Sequence, residues 1–123
     1  MDRKLVIIDD DRMTLRMLEE LLSQEGVKIF GVRDGFEGLK LILEEVPDVV
    51  ISDVLVPGLD GFDLCRKIKE NPGLAKTKVI LMSAVFKGYY YKNDIRESGA
   101  DDFFIKPIQT DVLKKRVAEF LNP

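Results

Sequence analysis

Not one of the 123 residues is a histidine. That absence removes Ser-His-Asp and Cys-His catalysis, imidazole metal ligands and any phosphohistidine from this chain. Cysteine occurs once, at Cys65, so no internal disulfide can close. No stretch approaches the roughly 18 apolar residues that a spanning helix needs. The chain meets the acidic triplet Asp9-Asp10-Asp11 after only four consecutive apolar residues, so no signal-peptide core precedes it. A soluble, cytoplasmic chain is expected. Charge of one sign is not in excess either. The balance of 19 basic against 22 acidic residues gives a net charge of −3, which leaves no electrostatic footprint for nucleic acid or an anionic membrane. Linkers, internal repeats and low-complexity tracts are also missing.

What is present is a chain with 46% apolar side chains, enough for one domain over residues 1–123 and too short for a second. The apolar period switches back and forth along it, and turn or capping residues punctuate each switch. Leu5-Val-Ile-Ile8 is a short unbroken apolar run suited to a strand covered on both faces, and Leu15, Leu18 and Leu22 recur at helical spacing until Gly26. Val27 to Val32 is strand-like, and Leu39, Ile42, Leu43 and Val46 trace one helical stripe that stops at Pro47. Val49-Val-Ile-Ser-Asp53 is a third strand, a helix from Phe62 to Ile68 follows a Pro-Gly loop, and Asn71-Pro-Gly73 ends it. Val79-Ile-Leu-Met82 and Phe103-Phe-Ile105 are further strands, separated by a polar segment from Gly88 to Ser98 that closes at Gly99. Leu113, Val117, Phe120 and Leu121 mark a final helix. Five βα units of this kind imply an α/β fold, a doubly wound parallel sheet with helices on both faces.

In such sheets ligands sit outside the carboxyl ends of the strands. Strand one ends at Asp9-Asp10 and strand three at Asp53, so the fold would crowd carboxylates that cannot all stay ionised unaided. A divalent oxygen-seeking cation relieves the repulsion, and Mg²⁺ fits because it takes one or two carboxylates and otherwise water or a phosphate oxygen. Helix capping is the plain alternative, and Asp11 is expected to do no more than cap the first helix. Capping does not account for Asp53, which is followed by the apolar Val54-Leu-Val56. Strand four ends at Ser83 and strand five at Lys106-Pro107, which adds a hydroxyl and an ammonium to the same edge. Singly, a Ser after a strand is usually a turn residue and a strand-end Lys is usually solvated. Together these groups suit a phosphoryl oxygen and leave an aspartate oxygen as nucleophile. Met13, Met17 and Cys65 are expected to serve packing.

The set Asp9-Asp10, Asp53-Val-Leu-Val-Pro57-Gly-Leu-Asp60-Gly61, Ser83-Ala84 and Phe103-Phe-Ile-Lys106-Pro107 resembles the receiver domain of two-component response regulators, in stand-alone CheY-like form. The resemblance covers essentially the whole chain. It implies a flavodoxin-like five-stranded parallel sheet in the order 2-1-3-4-5 with five helices. It implies that Asp53 accepts a phosphoryl group from the phosphohistidine of a histidine kinase or phosphotransfer protein. Asp10 would ligate Mg²⁺ directly, Asp9 would hold a metal-bound water, and the Leu55 carbonyl would complete the metal shell. Lys106 would pair with the phosphoryl group, and its bond to Pro107 would be cis. Ser83 would move toward the phosphate as Phe103 turns inward. An effector would be met on the face of the fourth helix, fifth strand and fifth helix, by a monomer or a phosphorylation-dependent dimer. Val56, Ser83 and Phe103 stand where the family often has Met, Thr and Tyr, and none of these departures removes a phosphate or metal ligand.

Three other readings fit these residues less well. A haloacid-dehalogenase-type phosphohydrolase would place a second carboxylate where Leu55 stands and would carry a cap domain. A flavodoxin would cradle its phosphate with hydroxyls and glycines, where Asp9-Asp10-Asp11 would repel it. A receiver-like docking module that takes no phosphate would not need all five site residues. Tyr89, Tyr90 and Tyr91 span most of a helical turn and cannot all face the core, which leaves open a solvated helix with one Tyr inward or an aromatic partner patch. Leu55 and Val85 each lie two residues beyond a site residue, and neither side chain can align a hydrolytic water. Related receivers often carry polar residues at these positions, so the resemblance implies slow autodephosphorylation unless a partner phosphatase supplies the missing polar group.

Overall fold

A computed structural model describes residues 2–84 and 89–123, with the side chains of residues 89–91 outside the description. The expectations placed on Val85 and on the side chains of Tyr89, Tyr90 and Tyr91 therefore lie outside the described residues. Strand β1 (Arg3–Ile8) leads into α1 (Arg12–Leu22), and β2 (Val27–Val32) into α2 (Gly35–Glu45). Then come β3 (Val49–Asp53), α3 (Gly61–Glu70), a 3₁₀ turn at Pro72–Leu74, β4 (Lys78–Ser83), α4 (Tyr89–Ser98), β5 (Asp102–Ile105) and α5 (Thr110–Leu121). The five strands form one sheet in the order β2-β1-β3-β4-β5, every pair parallel.

The unbroken apolar runs are buried on both faces, as parallel strands under crossover helices must be. Along β1, Leu5 and Ile7 face a layer with Leu15, Leu18 and Leu22 of α1 and Leu113, Val117 and Leu121 of α5. Val6 and Ile8 face the opposite layer, with Ile42, Phe62, Leu64, Cys65 and Ile68 from α2 and α3, and with Ile95 of α4 partly covered against it. The alternation repeats in β3 and β4, where Val50, Val79 and Leu81 join the second layer and Ile51, Ile80 and Met82 the first. Burial drives the Cys65 thiol up to about 11, against a hydrogen bond with Ser98 that lowers it. It is a packing group, as expected. Met13 and Met17 are not: they stand 82% and 39% exposed, because Leu15, Leu18 and Leu22 already take the inward face of α1.

The α2 stripe is likewise rotated from its expected phase. Leu43 and Val46 are half exposed, and Gly35, Gly38 and Ile42 form the buried face. A Cβ on Gly38 would lie 2.4 Å from Ile8 Cδ1, so the helix seats on its glycines and carries Leu43 outward. Val46 leaves the helix altogether in a left-handed conformation at φ 46°.

Candidate functional site

Three helices begin just beyond strand ends or loops of one sheet edge, and each opens on an aspartate. Asp11 accepts from the Thr14 amide, Asp34 from Phe36 and Glu37, and Asp60 from Asp63. These side chains satisfy amides that the first helical turn leaves without partners. Asp11 also accepts from the Thr14 hydroxyl, which lowers its carboxyl from the ordinary range. It is spent on the cap, as expected.

The other carboxylates at this edge are free of caps and converge. Ile8 of β1 pairs with Ser52 of β3, so the next residue of each strand, Asp9 and Asp53, emerges side by side. Asp9 is fully buried, Asp53 nearly so and Asp10 exposed, and one carboxylate oxygen from each lies within 4.8 Å of the others. Lys106 comes from the far side of the sheet. Its amide continues the β4–β5 ladder by donating to the Ser83 carbonyl at 2.9 Å, and its bond to Pro107 is cis. Its ammonium donates to Asp9 Oδ2 at 2.8 Å and to Asp53 Oδ2 at 3.2 Å.

Burial raises the Asp53 carboxyl above its ordinary value, and the Asp9 charge adds to this while Lys106 opposes it. Burial also pulls the Lys106 ammonium down, yet its hydrogen bond to Asp9 and the charges of Asp53 and Asp9 outweigh that and leave it raised. Among the described residues, one ammonium thus faces a cluster of three carboxylates. The charge imbalance and the hard oxygen donors fit a divalent cation.

Ser83 closes β4 fully buried, paired with Ile105 in the sheet, and Phe103 sits half-buried on β5 against the α3 layer. Leu55 is 57% exposed in the loop between β3 and α3. Two glycines hold that loop. The Gly35 amide donates to the Pro57 carbonyl and the Gly61 amide to the Val54 carbonyl, both at 2.9 Å. Sequence reasoning named Gly61 only as part of the family motif, and passed over Gly35 and Arg33. The Arg33 guanidinium donates through Nε and Nη2 to the Asp10 carbonyl at 3.3 and 3.2 Å. No local pattern marks it, since an exposed arginine after a strand is ordinary.

The chain matches the family model described as the response regulator receiver domain over residues 5–118. It is 37% identical over 123 residues to the transcriptional regulatory protein AfsQ1 of Streptomyces coelicolor, covering 96% of this chain and 51% of that protein. It is 35% identical over 117 residues to the response regulator PleD of Caulobacter vibrioides, covering 95% of this chain and 26% of that one. The chain thus spans about half and about a quarter of these two relatives. Among solved structures, it is similar to the signal receiver domain of a DNA-binding response regulator from Colwellia psychrerythraea. There the TM-score is 0.91 at 30% identity, covering 99% of this chain and all of that one. The signal receiver domain of a signal transduction histidine kinase from Syntrophus aciditrophicus gives a TM-score of 0.88 at 34% identity, covering 97% and 89%.

Proposed function

The chain belongs to the response regulator receiver domain family, and from that membership we propose that residues 1–123 act as one receiver unit whose phosphoacceptor is Asp53. It is a receiver domain of two-component signalling. The observation that carries the Asp53 assignment is the ammonium of Lys106 held between Asp9 and Asp53 at 2.8 and 3.2 Å, beside a carboxylate group able to hold a cation. The donor, as membership of the family implies, is the phosphohistidine of a histidine kinase or phosphotransfer protein, and the absence of histidine from this chain fits that division of labour. An Asp53 oxygen attacks phosphorus, the N–P bond breaks with its electron pair going to the imidazole, and the imidazole takes up a proton from solvent. Lys106 orients the phosphoryl oxygens as a point charge already in place, and Ser83 donates a hydroxyl from the neighbouring strand end.

Mg²⁺ is the cation that fits; Asp10, Asp53 and the Leu55 carbonyl would hold it directly and Asp9 would act through water. When bound, it neutralises charge that builds on the transferring group. Protein treated with acetyl phosphate and Mg²⁺ should gain one phosphoryl group, and peptide mapping after borohydride reduction should place it at Asp53. Modification at another residue would defeat the assignment. Asp10→Ala should weaken Mg²⁺ binding by about tenfold or more, since one of two hard anionic ligands is gone. Calorimetric titration giving equal affinities in the two proteins would refute the ligand set.

Phosphorylation is read out at α4, β5 and α5, with Ser83 and Phe103 coupling the new charge to that face and an effector protein docking there. Asp102 and Arg116 on that face are joined by a 2.6 Å ion pair that a shift of β5 against α5 would alter. The unit is a signalling switch placed in the cytoplasm, as a monomer or a dimer formed on phosphorylation. Among the described residues no helix is long and apolar enough to cross a membrane. Leu55, exposed and without a polar group, offers nothing to align an attacking water, so the acyl phosphate is lost slowly. Leu55→Asn should shorten its lifetime several-fold when phosphate release is followed in purified protein. An unchanged or longer lifetime would show that this position does not govern hydrolysis.

A further inference from the structure

We infer that Arg33 is a positioning residue for the cation site, gripping the backbone of Asp10 so that its exposed carboxylate stays turned toward Asp9 and Asp53; this rests on the reading of Asp9, Asp10 and Asp53 as the Mg²⁺ site. The β1–β2 ladder runs in register from Arg3 and Val27 to Ile8 and Val32. One step further, the Asp9 amide still donates to the Val32 carbonyl at 3.1 Å. There the backbone ladder ends, and the next residue of each strand meets through a side chain. Arg33 reaches across with Nε and Nη2 to the Asp10 carbonyl at 3.3 and 3.2 Å. On its other side, the Asp11 amide donates to Asp9 Oδ1 at 2.9 Å.

Asp10 needs such a grip more than its neighbours do. Asp9 and Asp53 are buried and tied to Lys106, whereas Asp10 is exposed at the mouth and Lys106 touches only the other two. An exposed side chain loses rotamer freedom when it ligates, and a fixed backbone reduces the part of that loss that falls on the main chain. A guanidinium contacting one oxygen through two nitrogens fixes direction as well as distance. The charge of Arg33 acts the other way. A cation near the site repels Mg²⁺, so grip and charge predict opposite signs when the side chain is removed.

Mg²⁺ titration by calorimetry on the full chain, with Arg33→Ala and Arg33→Lys, separates these effects. The grip predicts an affinity about three- to ten-fold lower for Arg33→Ala, at the weak end for a group acting behind a ligand. Arg33→Lys keeps the charge but only a single-centre donor, so it too should bind Mg²⁺ more weakly than wild type, and affinity equal to wild type would overturn the grip. Metal-free thermal midpoints should coincide among the three proteins, which a general loss of structure would not allow. Amide chemical shifts of Asp10, Asp11 and Arg12 should move in both variants before any metal is added. Equal or tighter Mg²⁺ binding by Arg33→Ala would overturn the inference while leaving the cation site intact. Failure of the wild-type chain to bind Mg²⁺ would instead remove the site reading, and this inference with it.

Discussion

Asp53→Asn should take up no phosphoryl group from acetyl phosphate or from a phosphorylated kinase, a loss of at least about two orders of magnitude in labelling rate. An amide has no anionic oxygen to attack phosphorus and cannot carry an acyl phosphate. The variant should nevertheless fold, and more stably than wild type when metal is absent. Asp53 stands nearly buried beside Asp9, and burial with that neighbouring charge raises its carboxyl above 3.8 in the fold. A group whose folded value is raised favours folding while protonated, and that contribution fades as pH rises from the unfolded value through the folded one. Above the unfolded value Asp53 is therefore a cost in the metal-free protein, and Asn removes it. The variant should have the higher thermal midpoint at pH 7, and the gap should narrow as pH falls toward the unfolded value. Added Mg²⁺ should raise the wild-type midpoint more than that of the variant. Labelling of Asp53→Asn at the wild-type rate would refute the assignment, and a variant less stable than wild type at pH 7 would refute the account of the buried charge.

Gly35→Ala should lower stability by roughly 2–3 kcal/mol, about 10 °C in the thermal midpoint of a domain of this size. Helix propensity alone predicts the opposite, a gain of up to about 1 kcal/mol inside a helix. The tertiary contact decides the sign. A Cβ at position 35 would lie 1.8 Å from the Leu59 carbonyl oxygen, 2.7 Å from its carbon and 2.9 Å from its nitrogen. All three are backbone atoms, so relief requires α2 to part from the β3–α3 loop. That movement stretches the 2.9 Å hydrogen bond from the Gly35 amide to the Pro57 carbonyl. The same loop carries Leu55, so Mg²⁺ affinity should fall with stability. A midpoint equal to or above wild type would mean that the loop yields freely and does not brace the site.

Much of this is legible in the sequence. Strand and helix periods placed the five strands and four of the helices within a few residues, because a parallel strand buried on both faces must be continuously apolar and its helix must be amphipathic, while the stretch that forms α4 read only as a polar segment. The polar residues that break those runs, Asp9-Asp10, Asp53, Ser83 and Lys106, stood out for the same reason. The phase of α2 did not. Four apolar residues at helical spacing looked like its inner face, while close approach to Ile8 was possible only through Gly38, a residue with no apolar signal to give.

Local pattern therefore determined the fold class, the capping role of Asp11 and the list of groups at one sheet edge, because each depends on residues a few positions apart. Convergence was a tertiary matter. Lys106 reaches Asp9 across 97 positions of chain because β3 inserts between β1 and β4, and no periodicity encodes which strand lies beside which. The contact of Arg33 with Asp10 and the seating of Gly35 against Leu59 belong to the same class. Each is a backbone approached from a distant segment, where the sequence carries a side chain's identity but not the distance at which the fold will bring it to rest.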